Sequence, residues 1–254
     1  MAGNYIRREE PDGKLPLGHP NLGWVVLAVV FAGIWIYAVS REDRRDPEPL
    51  WMLLLATLAG GGAMLAAVWV EERLVTDPTV YDGPLLGRVL LAMTVAGPVE
   101  EGAKLVAVLA MIRPWRHFDE PMDGIVYAAA AGAGFALAEN LAFMEDQPDA
   151  ILLRGPIGTG AHVLFTAFWG GALGHAGLVK EWPRKVALVA LGFAAASVAH
   201  GAFDLIVFCS GKELTPPQAR VALITLAIGC TLFLRWRTRL ALASARFERG
   251  SSEL

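Results

Sequence analysis

The stretch Gly97-Pro98-Val99-Glu100-Glu101-Gly102-Ala103-Lys104 decides how this chain is read. Two carboxylates and an amine stand there between the apolar runs 89–95 and 105–112. A charged side chain at bilayer depth costs ~2.5–3.5 kcal/mol on insertion scales. Adjacent glutamates also repel each other unless one is protonated or both meet cations. Lys104 lies four residues after Glu100 and three after Glu101, so on a helix it can reach either. Gly97-Pro98 has the form of a helix start, because proline suits the first turn.

The surroundings of this stretch set its context. Of 254 residues, 55% are hydrophobic, the mean hydropathy is +0.45, and the apolar residues come in long blocks. That excludes an ordinary soluble domain and indicates an all-α, polytopic transmembrane helix bundle. The net charge of -3 is uninformative about partners, and no basic tract suits nucleic acid, which is not expected as a partner. Cys209 and Cys230 give no disulfide framework. The N-terminus is polar to Asn21, so no cleavable signal is evident and the first apolar block reads as a retained anchor.

About seven spans are expected, at 22–39, 50–70, 85–112, 122–144, 157–179, 186–208 and 218–236. A polar arm, 1–21, precedes this membrane domain (22–236), and a basic cytoplasmic tail, 237–254, follows it. Residues 85–112 would measure ~42 Å as one helix against a core of ~30 Å. A break is therefore expected at Gly97-Pro98, which would make 85–96 an interfacial or re-entrant piece and an eighth segment. Residues 71–84 and 145–156 read as loops. Lys and Arg are richer on the side of 41–45, 113–116, 180–185 and the tail, which places the N-terminus outside and the C-terminus inside.

Under that topology Glu139, Asn140, His162, His200 and Asp204 all fall within ~12 Å of the outer boundary. Glu100 and Glu101 reach the same layer if a helix restarts at Pro98. Charged groups at such depth face one another or a wet cavity. Each also has a plain structural reading: an ion pair for Glu100 or Glu101 with Lys104, a polar helix end for Glu139-Asn140, a hydrogen-bonded pair for His200 with Asp204, and an interfacial histidine for His162. His175 lies on another face, His19 and His117 are in polar surroundings, and Asp123 reads as an N-cap.

Together these groups supply what hydrolysis needs. A carboxylate can act as general base on water. Two histidines and a carboxylate match a common catalytic zinc set that leaves a position open for water. A metal-free version is equally consistent, with a glutamate activating water and His200 and Asn140 stabilising the oxyanion. No His-Glu-x-x-His helix is present.

The series Glu100-Glu101-x-x-Lys104, Asp119-Glu120-Pro121-Met122-Asp123-Gly124-Ile125-Val126-Tyr127, Gly134-Phe135-Ala136-x-x-Glu139-Asn140, His162 and His200-x-x-x-Asp204 resembles the PrsW family of intramembrane proteases. The likeness covers about 98–208. The wider group, type II CAAX prenyl endopeptidases and bacteriocin-processing proteases, is similar but carries Glu-Glu-x-x-x-Arg, Phe-x-x-x-His and His-x-x-x-Asn. Here Lys104 stands one position before that arginine, Glu139 in place of the histidine and Asp204 in place of the asparagine.

The resemblance implies cleavage of membrane-anchored proteins, an anti-sigma factor among them, at the outer side of a bacterial membrane. On this reading Glu100 or Glu101 activates water. His162, His200 and Asp204, with Glu139, hold Zn2+ or position the water. Asn140 orients groups or donates to the oxyanion, and Lys104 pairs with a glutamate. The competing reading is a proton-coupled transporter or channel using the same groups as a relay. It calls for broken helices in two related halves, and the sequence offers only the Gly97-Pro98 break.

Overall fold

The computed structural model describes residues 22–43, 47–112, 118, 120–145 and 147–252, with side chains as far as 239 except at 78, 234, 237 and 238. The arm 1–21, His117 and Asp119 lie outside the described residues, as do Arg44, Arg45, Arg113 and Arg116 of the expected positive loops. The order is α1 (Leu22–Ser40), α2 (Leu50–Leu74), a 3-10 turn (Pro78–Tyr81), α3 (Leu85–Leu90), a π-helical stretch (Leu91–Ala96) and α4 (Gly97–Ile112). Then come α5 (Pro121–Phe143), α6 (Ile151–Leu153), a second π-helical stretch (Arg154–Gly158), α7 (Thr159–Leu178), α8 (Trp182–Cys209) and α9 (Pro216–Ser252). Among the described residues the only strand-like pairing is one isolated bridge between Ser210 and Leu214. Among the described residues, six segments are long and apolar enough to cross a membrane: Leu22–Ser40, Leu50–Leu74, Pro121–Phe143, Pro148–Leu178, Trp182–Cys209 and Pro216–Phe233. The protein is a multi-pass membrane protein, and the run 85–112 is the segment that holds Glu100, Glu101 and Lys104.

α5 is the axis of the bundle. Every residue from Pro121 to Ala136 is buried, as expected of a helix apolar on all faces. Its side chains are mostly Ala and Gly, and so its neighbours approach to backbone contact. A Cβ at Gly134 would lie 1.9 Å from the Thr57 carbonyl oxygen of α2, and one at Gly60 would lie 1.9 Å from that of Ala131. On the other side α7 sits equally close, since a Cβ at Gly174 would lie 2.0 Å from the Pro121 oxygen. α8 packs outside α7 and against α4, and α9 lies against α7 and α8 with most of its surface exposed.

Several expectations change. The chain does not break at Gly97-Pro98. It runs on as one helix, and the six-residue π-helical stretch takes the place of a break. Proline lacks the N–H that an α-helix needs and its ring crowds the preceding turn, so a widened i→i+5 turn just before it keeps the helix continuous. The same device operates at Pro156, which lies inside the second π-helical stretch. Helical structure therefore begins at Pro148 where a loop to 156 was expected. Asp123 is also one turn inside the helix rather than at its cap. Glu120 holds the N-cap position, and its backbone N–H donates to Asp123 Oδ2 at 2.7 Å, completing a capping box.

At one end of the bundle, buried Arg88 on α3 donates to the Phe208 carbonyl at 2.9 Å and to Glu213. That guanidinium holds the Glu213 carboxyl below the usual carboxylate range. Lys212 Nζ reaches the Tyr81 oxygen (3.0 Å) and Asp82 (2.6 Å). The turn between α8 and α9 is thus tied to the segment that leads into α4. α9 continues for 37 residues, ~55 Å of helix, through the boundary expected at 236.

Gly134→Ala should destabilise the protein by about 1–3 kcal/mol, the usual range for overpacking, because its new methyl meets backbone. Gly62, with nothing within 4 Å, is the control. Unfolding of both variants in detergent checks this, and equal stability of the two would show that α2 and α5 do not need their close contact.

Candidate active site

Four helices deliver the ionisable groups. Glu100, Glu101 and Lys104 lie buried on α4, Glu139 and Asn140 near the end of α5, His162 on α7, and His200 and Asp204 on α8. Glu101 has no exposed surface and is saturated with donors. Its Oε1 receives Lys104 Nζ at 2.8 Å and His200 Nδ1 at 2.8 Å, and its Oε2 receives the Trp169 indole N–H at 2.9 Å. Lys104 Nζ also lies 2.9 Å from His162 Nδ1, 3.8 Å from Glu100 Oε2 and 4.0 Å from the centre of the Phe135 ring.

These contacts fix the histidine tautomers. A lysine ammonium only donates, so His162 Nδ1 accepts from Lys104 and His162 Nε2–H donates to Glu139 Oε2 at 2.9 Å. An ionised carboxylate only accepts, so His200 Nδ1–H donates to Glu101 and leaves Nε2 facing the other way. His200 Nε2 lies 3.4 Å from Glu100 Oε2 and 3.8 Å from Asp204 Oδ2. Both of those oxygens are buried and make no hydrogen bond to the described residues. His200 Nε2 thus lies beside two buried carboxylate oxygens, an arrangement that a proton on that nitrogen or a bound cation would satisfy. The two imidazoles meet edge to face with centroids 4.9 Å apart, and Glu100, His162 and His200 each offer a ligand atom within 4.8 Å of the others.

The outer part of the site is less enclosed. Glu139 Oε1 pairs with Arg154 Nη2 at 2.8 Å, and the Asn140 amide lies between Arg154 Nε (3.4 Å) and Thr159 Oγ1 (3.2 Å). A second carboxylate trio, Asp43, Glu48 and Asp123, also lies within 4.8 Å, with Tyr127 donating to Glu48. It is at the opposite end of α5, about 24 Å of helix from Glu139.

A family model described as the PrsW family intramembrane metalloprotease matches residues 48–232. The chain belongs to this family. Curated relatives agree. Protease PrsW of Clostridioides difficile (strain 630) is 26% identical over 198 residues, 74% of this chain and 80% of that protein. Protease PrsW of Bacillus subtilis (strain 168) is 27% identical over 167 residues, 65% and 74% of the two chains. Protease PrsW of Geobacillus kaustophilus (strain HTA426) is 26% identical over 172 residues, 67% and 73%. No solved structure matches. As a PrsW-family member the protein is an intramembrane protease of a family described as metallo-enzymes, and the transporter reading is not favoured.

The structure brings together all eight residues that the sequence singled out, in two tiers. Glu100, Glu101, Lys104, His162, His200 and Asp204 form the inner cluster. Glu139 joins it only through His162, with Arg154 on its other oxygen, and Asn140 stands beside that pair. His175 stays apart, with its Nδ1 2.9 Å from the Gly171 oxygen.

Sequence reading missed Trp169, Arg154, Thr159 and Glu71. Trp169 was traceable, since it follows His162 by seven residues and so shares its helix face. Arg154 read as a loop charge because Pro156 hid the helix. Glu71, expected to open a loop, is buried in α2 and adds negative charge near Glu100 and Asp204.

Trp169→Phe removes a donor from a buried carboxylate and should cost about 1.5–3 kcal/mol, as for hydrogen bonds to charged groups. Trp35→Phe, which removes a bond to the neutral Pro156 carbonyl, should cost about 1 kcal/mol. Unfolding in detergent compares them, and equal losses would show that Glu101 is held without the indole.

Proposed function

We propose that this protein is a zinc-dependent endopeptidase that cleaves membrane-anchored protein substrates in the outer half of the membrane. One arrangement supports the reading above the rest. Each site histidine has one ring nitrogen against a carboxylate, Glu139 for His162 and Glu101 for His200, while Glu100 and the two imidazoles offer ligand atoms within 4.8 Å. Carboxylate-backed imidazoles are the usual outer support of catalytic metal ligands. The nitrogens left for a metal are His200 Nε2 and His162 Nδ1, the latter here accepting from the Lys104 ammonium, which would swing aside on binding. Two imidazoles and the Glu100 carboxylate suit Zn2+ with one position open to water. Bound there, the ion would acidify that water and polarise the scissile carbonyl.

The chain's own groups do the rest. Asp204 Oδ2, with no hydrogen bond of its own, takes the proton as the water oxygen attacks the carbonyl carbon. When the tetrahedral adduct collapses and the C–N bond breaks, Asp204 returns that proton to the amine nitrogen. Glu101 fixes the orientation of His200, and Glu139 that of His162. Lys104 balances the Glu101 charge, and Asn140 braces the end of α5 against Thr159. A membrane-anchored anti-sigma factor, the substrate class that the family resemblance implies, is the first to test.

The division of labour between Glu100 and Asp204 separates in two variants. Glu100→Gln should lose both bound metal and cleavage of a membrane-anchored reporter. Asp204→Asn should keep its metal and lose cleavage by about 100-fold or more, the scale of general-base catalysis. Metal content of purified protein and reporter cleavage measure the two, and metal loss in Asp204→Asn with retention in Glu100→Gln would exchange the roles. Cleavage that survives complete chelation would replace the zinc mechanism with a glutamic one.

Loop charge supports an outside N-terminus and a cytoplasmic C-terminus. Cysteine placed at Lys212 should then react with an impermeant thiol reagent on intact cells, and cysteine at Lys180 only after lysis. The opposite pattern would put the site near the cytoplasmic face.

A further inference from the structure

Among the described residues around the site, Arg154 is a cation that neither the family resemblance nor the sequence motifs assign. An arginine near the end of a membrane span ordinarily extends to the headgroups. Here it folds back onto α5 through three directed contacts. Nη2 meets Glu139 Oε1 at 2.8 Å, Nε lies 3.4 Å from Asn140 Oδ1, and the guanidinium stacks 4.1 Å over the Phe143 ring. Its side chain is 29% exposed, so water is near but the charge is directed inward. Its place in the chain is also specific. Arg154 opens the π-helical stretch that carries the chain past Pro156 into α7, five residues before Thr159 and eight before His162.

We propose that Arg154 is a positioning residue for the metal-binding histidine His162, acting through Glu139. The chain of contacts is continuous. Arg154 takes one oxygen of Glu139, and the other oxygen accepts His162 Nε2–H. Holding the proton on Nε2 leaves Nδ1 with a lone pair, here turned to Lys104 at 2.9 Å. Arg154 does this in two ways. It supplies the opposite charge that keeps an enclosed carboxylate in its accepting form, and it fixes the torsion of that carboxylate so that Oε2 meets the ring. By gripping Asn140 as well, it locks the end of α5 to the start of α7, the two helices that must stay in register for Glu139 to meet His162. Arginine is suited to this because its planar fork engages a carboxylate and an amide at once, which a lysine ammonium does less well.

The proposal rests on the zinc reading above, and the experiment separates the two. Full-length protein in detergent is stripped with a chelator and titrated with Zn2+ against a chromophoric competitor, and with Co2+ to read its ligand-field spectrum. Arg154→Gln should bind Zn2+ about 10–100-fold more weakly, the usual effect of losing an outer support, with an altered Co2+ spectrum, both read at a temperature where the metal-free variant is fully folded. Arg154→Lys should recover part of the affinity. Arg154→Gln combined with Glu139→Gln should be no weaker than Glu139→Gln alone, since both act on one contact. Wild-type affinity in Arg154→Gln, or additive losses in the double variant, overturns the proposal while leaving the zinc reading intact. A wild-type protein that takes up neither Zn2+ nor Co2+ overturns both.

Discussion

A carboxylate with no exposed surface, set in an apolar bundle, is the constraint on which the rest of the structure depends. Glu101 can remain there only if its charge and its lone pairs are met. Its own helix supplies one donor, Lys104. The others come from Trp169 on α7 and His200 on α8. Three helices are thereby fixed around one side chain, and the position of each is set to within hydrogen-bond tolerance. Apolar packing in lipid gives no such direction, because lipid tails satisfy leucine as well as a neighbouring helix does.

Such convergence needs helices that come close, and the backbone is built for it. α5 presents Ala and Gly where α2 and α7 cross it, so those helices touch backbone to backbone. The two π-helical stretches serve the same end. Each widens the helix by one residue per turn where a proline would otherwise break it, and each lies just before residues of the site: Glu100 and Glu101 after the first, Thr159 and His162 after the second. The prolines change the rotational setting of these helices without ending them. A π turn is tolerated inside a membrane because its backbone groups remain hydrogen-bonded within the helix.

The parts legible in sequence were those in which cost is visible in one dimension. Charges inside apolar runs stand out, and Glu100, Glu101, Lys104, His162, His200 and Asp204 were marked by that alone before the structure brought them together. Span positions followed from hydropathy in the same way. What could not be read depended on neighbours. Trp169 looks like any apolar residue of a span until its indole is seen on Glu101. Arg154 looked like a loop charge because Pro156 suggested a loop, and propensity does not reveal a π turn. Glu71 sits at the edge of its span, where a polar residue needs no special reason, yet it is buried. The order Glu100-Glu101 gave no ranking either, since both positions reach Lys104 on a helix.

Rotation sets the two residues in different surroundings. Consecutive residues on an α-helix point about 100° apart. Glu101 points where α7 and α8 meet and is saturated with donors. Glu100 points to the far side of the His200 ring and keeps an oxygen without a hydrogen bond. Four carboxylates touch a site histidine: Glu100, Glu101, Glu139 and Asp204. Lys104 answers Glu101 and Arg154 answers Glu139 at 2.8 Å each. The two left over, Glu100 and Asp204, both face His200 Nε2. Positive charge is their complement, whether a proton on that nitrogen or a bound cation. Neighbouring carboxylates thus differ in kind: Glu101 and Glu139 tie helices together, while Glu100 and Asp204 each keep a buried oxygen that makes no hydrogen bond to the described residues.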